Sequence, residues 1–135
     1  MIEPSLALQT LIHSRLTGSP AVTALVPADN IADVSGLPTV FPCIIIGEGH
    51  AIYSDRFNRF HEQAYADLHI WTAEPGLEQT KTIAAAIREA LWAPWQVDGF
   101  IAHGISVRTS RFLRDPDGEH GHGVISIDAV LQARA

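Results

Sequence analysis

Two histidines separated by one residue, His120 and His122, come closest to a ligand motif in this chain, and Glu119 precedes them. On a β-strand, residues two apart point to the same face, so both imidazoles could in principle reach one metal ion. A zinc site needs three or four ligands brought together, and no further ligand stands at a suitable spacing in this glycine-flanked segment. A small metal-binding enzyme built on these three residues is therefore a distant alternative.

The acidic residues nearby have a simpler explanation. Asp115 and Asp117 belong to an Arg-Asp-Pro-Asp-Gly sequence, which is a strong turn signal. A calcium loop is excluded because the glycine follows the second Asp directly and no later Glu stands at the required spacing. The Gly-Glu-Gly sequence at 47–49 lacks the further glycine and the lysine of a phosphate loop. These patterns predict no catalytic residue, no cofactor and no metal.

Cys43, the single cysteine, lies in an apolar run with three isoleucines. We interpret it as a small buried hydrophobic residue, since an apolar site raises the pKa of a thiol and makes it a poor nucleophile. One thiol without a disulfide partner favours a reducing compartment.

Composition limits the classes of function. A chain of 135 residues with 47% hydrophobic residues fits one folded domain, here residues 1–135. The net charge is −6 with only 9 Lys plus Arg, which argues against gripping nucleic acid from outside. The N-terminus lacks the pattern of a secretory signal, and the apolar runs are too short for a membrane span. The sequence thus predicts a soluble protein made in a cytoplasm.

The first half of the chain predicts helices followed by a buried strand. Apolar residues at helical spacing indicate a first helix over 4–16, and Ser-Pro at 19–20 begins a second one over 21–25. Residues 28–42 are rich in turn formers and are expected to be irregular, with a short strand near 31–34. The β-branched run 43–47 predicts a buried strand.

An eleven-residue alternating stretch begins at Glu62 and ends at Thr72. One of its faces is apolar and is expected to cover the core. The other face is predicted to meet solvent or a neighbouring subunit, and its residues are Tyr65, Asp67, His69 and Trp71.

The preceding segment, from Gly49 to His61, follows neither the helical nor the strand period, and we expect a loop or an irregular hairpin. Arginines and aromatic residues are enriched at protein–protein contacts. Two interpretations stay open: a subunit contact, or a loop whose aromatic side chains fold back on the core. The contact candidates in this segment are Tyr53, Arg56, Phe57, Arg59 and Phe60.

The remainder predicts a helix and a hairpin. A helix is expected to begin at Leu77 and end at Trp92, where Pro94 stops it and one of its flanking tryptophans packs back onto the sheet. Strands over 100–112 and 124–132 flank the turn and form an antiparallel hairpin, with Gly104 as a possible bulge in the first. The expected fold is α+β: a single domain with a mostly antiparallel sheet packed by two main helices.

The order of these segments resembles that of the tail completion, or tail terminator, proteins of long-tailed bacteriophages and gene transfer agents. The residues that carry the resemblance are Ala21-Val22-Thr23-Ala24-Leu25-Val26, Phe41-Pro42-Cys43-Ile44-Ile45-Ile46-Gly47, Leu68-His69-Ile70-Trp71-Thr72, Ile83-Ala84-Ala85-Ala86-Ile87 with Ala90-Leu91, and Arg114-Asp115-Pro116-Asp117-Gly118 with His122-Gly123-Val124-Ile125. Together they span nearly the whole chain.

The resemblance implies a structural virion protein rather than an enzyme, without a cofactor. It implies a ring, usually a hexamer, at the tail-to-head junction that caps the tail tube, ends tube polymerisation and docks the head connector or stopper. Genome DNA would pass through the lumen without specific binding, and no membrane would be involved. Synthesis would take place in the cytoplasm of the bacterial host. The alternative within the particle is another head–tail joining protein: an adaptor, a stopper or a minor tail protein.

Overall fold

A computed structural model describes residues 2–34, 38–53 and 61–134. The elements, in chain order, are α1 (Pro4–Thr17), α2 (Pro20–Thr23), a 3-10 turn (Ala28–Asn30), β1 (Ile31–Ala32), β2 (Cys43–Ile52), β3 (Glu62–Thr72), α3 (Glu78–Ala90), β4 (Phe100–Arg114) and β5 (Gly121–Ala133). The α+β prediction is confirmed, including the mostly antiparallel sheet and the two main helices α1 and α3.

The strands form a five-stranded sheet in the order β1-β2-β3-β5-β4. Only the short β1 pairs in parallel, with β2, and every other neighbouring pair is antiparallel. The β4–β5 hairpin is the one that the turn sequence predicts. The long register of β3 with β5, from Glu62 opposite Leu131 to Thr72 opposite Gly121, makes these two strands the centre of the sheet.

The helices pack on one face of this sheet, which we call the inner face. Alternate residues of β3 and β5 on that face are apolar and almost without solvent exposure, namely Ala64, Ala66, Leu68, Ile70, Ile125, Ile127, Ala129 and Leu131. They meet the apolar stripes of α1 and α3, which include Leu8, Ile12, Leu16, Ile83 and Ile87. The predicted inner face of β3 and the predicted stripes of both helices are confirmed.

Local sequence explains where α1 begins and ends. The Glu3 carboxylate accepts hydrogen bonds from the backbone N–H groups of Ser5 and Leu6, which satisfies two donors that a helix start leaves unpaired. Pro4 follows at the first helical position, where its missing N–H leaves no intrahelical bond unmade. At the other end Gly18 caps the helix through its backbone N–H.

Of the two forms predicted for the segment from Gly49 onward, a loop or an irregular hairpin, the described residues 49–52 take the second. Strand β2 continues to Ile52 and pairs with β3 along its length. One extra residue in β2, between Ile46 and Gly49, shifts the register. Before this bulge the even-numbered residues face inward, and after it the odd-numbered ones do. The alternation is therefore broken in the sequence although the strand is continuous in space.

Strand β4 carries two such shifts, one between Ala102 and Gly104 and one between Val107 and Thr109. The bulge expected at Gly104 is confirmed. Ile101 and Ile105 have the same parity in the sequence but lie on opposite faces, because the extra residue between them reverses the direction of the side chains. Phe100, 1% exposed, fills the core instead, while Ile101 is 40% exposed.

The two tryptophans after α3 differ. Trp95 packs against the core and its indole N–H donates to the carbonyl oxygen of Leu91 at 2.7 Å, whereas Trp92 is 70% exposed. No helix in the described part of the chain combines the length and the apolar content that crossing a bilayer requires.

Candidate functional site

The side of the sheet opposite the helices, which we call the outer face, has no helix packed on it among the described residues. Tyr65, Asp67, His69 and Trp71 of β3 lie there, each half-buried by neighbouring side chains, as predicted from the alternation. Their cross-strand partners on β5 are Asp128, Ser126, Val124 and His122, respectively. The outer face is therefore polar and aromatic where the inner face is aliphatic.

One end of the outer face is a stack of rings. The indole of Trp71 lies flat against the imidazole of His122, with ring centroids 3.9 Å apart and planes inclined by 8°. His122 Nε2 lies 2.9 Å from His69 Nδ1, and His69 Nε2 lies 3.3 Å from the Glu48 carboxylate. This chain of contacts fixes the orientation of side chains that would otherwise be mobile at a surface.

Electrostatics in this stack favour neutral imidazole at His122. Burial lowers the pKa of His122 below its usual value, and the nearby charge of His69 lowers it further. The pKa of the exposed Glu48 carboxyl is also lowered, mainly by a hydrogen bond with its own backbone N–H and then by the bond with His69. A neutral His122 can share one proton with His69, which doubly protonated rings could not do.

The other end of the outer face is a shallow open groove of about 650 Å³. His50 stacks on Tyr65 with centroids 4.4 Å apart, and Ser126 donates a hydrogen bond to Asp67 at 2.9 Å. The walls combine carboxylates, an arginine and aliphatic groups, without an enclosed cavity. This composition suits recognition of another protein surface, since a ligand would be little desolvated in so open a groove.

Tyr53 lies directly after β2 at the margin of the sheet and is 62% exposed. Its hydroxyl donates a hydrogen bond to the Glu3 carboxylate at 3.0 Å, which ties the end of β2 to the start of α1. The other candidates of this segment, Arg56, Phe57, Arg59 and Phe60, lie outside the described residues.

Among the described residues, His120 and His122 contact no common side chain. The imidazole of His120 stacks on Phe41 and lies 2.5 Å from the Asp117 carboxylate, whereas His122 belongs to the Trp71 stack. Asp115, Asp117 and His120 do bring three possible ligand atoms within 4.8 Å of one another. Yet Asp117 already accepts the backbone N–H groups of Glu119 and His120, which is the ordinary bonding of this turn.

The prediction missed the role of Arg15. Its guanidinium reaches across to the end of α3 and donates to the carbonyl oxygens of Ala90, Pro94 and Trp92, the first at 2.9 Å. These are carbonyl groups that a helix end and the following turn leave unpaired. The turn that carries the exposed indole of Trp92 is thereby tied to α1. No sequence signal relates Arg15 to residues so far along the chain.

Comparison with known proteins now adds to this geometry. The family described as Tail completion protein gp17 matches residues 10–132. The chain belongs to this family. Family membership supports a structural role in head–tail joining, in association with other head and tail proteins, and gives no indication of an enzyme. No curated protein sequence matches the chain.

Two solved structures superpose on this chain over most of its length. A chain of the virion of a native gene transfer agent particle superposes with a TM-score of 0.83 at 18% identity, covering 98% of this chain and 100% of that one. The bacteriophage SPP1 gp17 protein has a TM-score of 0.63 at 23% identity, covering 93% and 88% of the respective chains. At these identities the likeness establishes the fold alone.

Proposed function

We propose that residues 1–135 act as one tail-terminator unit that assembles into a ring, a hexamer, at the tail-to-head junction of a phage or gene-transfer-agent particle. The ring caps the tail tube, ends tube polymerisation and provides the surface on which the head connector or stopper docks. The observation that carries the proposal is the match of the tail completion family over residues 10–132.

The outer face supports this role physically. It presents aromatic rings and imidazoles in fixed orientations, and large rigid side chains lose little conformational entropy when a partner covers them. We assign subunit contacts to this surface and to the segment that follows β2. The residues concerned are Tyr53, Arg56, Phe57, Arg59, Phe60, Tyr65, Asp67, His69 and Trp71.

The mechanism is steric. One end of the ring matches the growing end of the tube, while the other end lacks the surface that a further tube ring needs. Genome DNA passes through the lumen without specific binding, and the net charge of −6 is compatible with sliding because it offers few cations to phosphate. The tail tube protein and the head connector are the expected partners.

Deleting the gene in a strain that produces the particles tests the proposal. We expect tails of irregular and excessive length without attached heads, measured by electron microscopy, and restoration by the unaltered gene. Tails of normal length that remain unjoined to heads would favour an adaptor, a stopper or a minor tail protein instead. Complete, normal particles after deletion would overturn the assignment to the junction altogether.

A second measurement concerns the outer face. Trp71→Ala is expected to leave the protein folded but unable to restore normal tails, while Trp92→Ala, at an exposed position on the turn after α3, serves as the matched control. Equal restoration by both variants would remove the outer face from the proposal.

A further inference from the structure

Charged residues are unevenly distributed along this chain. Between Arg15 and Arg56 there is no Lys or Arg, and the described acidic residues of that stretch are Asp29, Asp33 and Glu48. By contrast, β4 carries Arg108, Arg111 and Arg114 and no acidic residue. One part of the chain is thus purely acidic and another purely basic.

The sheet order separates these two segments completely. The acidic segment forms β1 and β2 at one edge, and the basic strand β4 is the opposite edge. Neither edge is closed within the described residues: β4 pairs with β5 only, and β1 covers β2 only at Ile44 and Ile45. A long strand edge with unpaired backbone groups can form hydrogen bonds with a strand of another chain, so proteins usually cover such an edge or use it as a contact surface.

The acidic edge has a groove of about 610 Å³. The carboxylates of Asp33 and Glu48 both line it, and its other walls include Ile45, His69 and Trp71. The side chain of Glu48 is 81% exposed, so its charge is available to a partner. Carboxylates beside an indole and an aliphatic wall suit an arginine, whose planar guanidinium bonds carboxylates and stacks on aromatic rings.

The basic edge supplies such groups. Arg108, Arg111 and Arg114 are all exposed. Arg108 donates to Asp128 of the same subunit at 3.0 Å, whereas Arg111 and Arg114 form no salt bridge with any described residue. Strand alternation puts Arg111 on the outer face, whereas Arg114, three residues further on, lies on the helix side and lines a groove beside α3. Arg111 is therefore the guanidinium placed to meet a carboxylate of a neighbour.

Strand directions fit the same arrangement. Because β2 is antiparallel to β3, β3 to β5 and β5 to β4, strand β4 runs antiparallel to β2 and to β1. If copies stand side by side in the same orientation, β4 of one copy lies antiparallel to the exposed β1–β2 edge of the next. Antiparallel pairing is the more stable of the two modes and matches the rest of the sheet.

We propose that successive copies of this chain join edge to edge, with Arg111 of one copy's β4 seated in the Asp33–Glu48 groove of the next. The contact is heterologous: the two surfaces differ, and repetition of the same rotation closes a ring. The inference rests on the proposed ring. It deepens that proposal by naming the two lateral surfaces, and it brings His69 and Trp71 into the contact.

Charge exchange in particles tests the contact. Arg111→Glu alone and Glu48→Arg alone should each lower the yield of complete particles by at least roughly tenfold, as expected for loss of close charge pairs at an interface. Co-expression of the two variants should restore the yield, because in a ring of alternating variants every contact joins one acidic and one basic side chain, in the original or in the reversed order. Arg88→Glu, exposed on α3, is the matched control. Full yield from either single variant, or no recovery on co-expression, would overturn the edge assignment.

Photocrosslinking tests the same contact between copies directly. Arg111→p-benzoylphenylalanine, incorporated in a fraction of the copies in otherwise unaltered particles, should crosslink on illumination to residues 29–52 of another copy, as identified by mass spectrometry. The same amino acid at position 88 should not. Crosslinks only to a different protein would refute the edge contact while the gene-deletion phenotype still supports tail termination, so the two proposals fail separately.

Discussion

The two faces of the central sheet use the same strands for opposite purposes. On β3, Leu68 and Ile70 face the helices with no solvent exposure, while the residues that alternate with them, His69 and Trp71, lie on the outer face among rings and carboxylates. A shift of one residue along the strand therefore separates a surface that holds the fold together from one that is left for a partner.

Two adjacent isoleucines make this contrast most sharply. Ile44 is fully buried on the inner face opposite Ile70, and Ile45 is half-buried on the outer face opposite His69. Their side chains are chemically identical, so any difference in their contribution comes from position alone.

Replacing each isoleucine separately should therefore give unequal effects. Ile44→Ala should lower the free energy of unfolding by about 2–5 kcal/mol, the usual range for an aliphatic side chain deleted from a core. Ile45→Ala should lower it by about 1 kcal/mol, because only part of its apolar area is removed from water. Urea unfolding of both variants measures the difference, and equal losses would contradict the division into two faces.

Gly121 tests how tightly the groups on the inner face are packed. A Cβ there would lie 2.6 Å from Thr72 Oγ1 and 3.2 Å from the backbone oxygen of Gly76, so Gly121→Ala forces a shift in packed structure. We expect a loss of about 1–3 kcal/mol, as for overpacking. Gly104→Ala is the control, since nothing lies within 4 Å of the added atom. Thermal or urea unfolding that ranks the control as the more destabilised variant would show that the inner face is not tightly packed here.

On the outer face the effect on stability should be smaller than the effect on assembly. Trp71→Ala removes the stack with His122, worth about 1 kcal/mol beyond area burial. Urea unfolding of the purified variant should therefore show a modest loss, in contrast to the failure of particle assembly proposed above. A loss as large as that of Ile44→Ala would mean that Trp71 belongs to the core rather than to a contact surface.

The smallest expected effect is a pH dependence of the same stack. Because the pKa of His122 is lowered in the folded protein from an ordinary value of 6.5, the unfolded chain binds this proton more readily. The associated stability is fully present above that value and is lost as pH falls through it toward the lowered pKa. His122→Gln should make the melting temperature less sensitive to acidification over this window, whereas His103→Gln, on β4, should not. Identical pH profiles for His122→Gln and the unaltered protein would exclude this linkage.

Much of the fold was predictable from local patterns. The alternation of β3, the apolar stripes of α1 and α3 and the turn between β4 and β5 each depend on residues close in sequence. The bulge at Gly104 was predicted, but the bulge of β2 and the second bulge of β4, where one extra residue reverses the side chains, were not. A bulge is recognised from the partner strand, which a single segment does not contain.

The surface was predictable only in part. Alternation placed Tyr65, Asp67, His69 and Trp71 together on one face, and the described positions agree. Three other features join residues from distant parts of the chain and were not predicted. They are the ring stack with His122 and Glu48, the hydrogen bonds from Arg15 to the end of α3, and the placement of an acidic and a basic strand at opposite edges of the sheet.

The amino-acid sequence by itself determined most of the elements, the inward side of β3 and the family, because periodicity, turn residues and motif order are properties of neighbours along the chain. Strand order, register and the partners of each exposed charge were decided only by the tertiary structure. The physical reason is that hydrogen bonds between strands and packing between layers bring together residues whose separation in sequence carries no local signal.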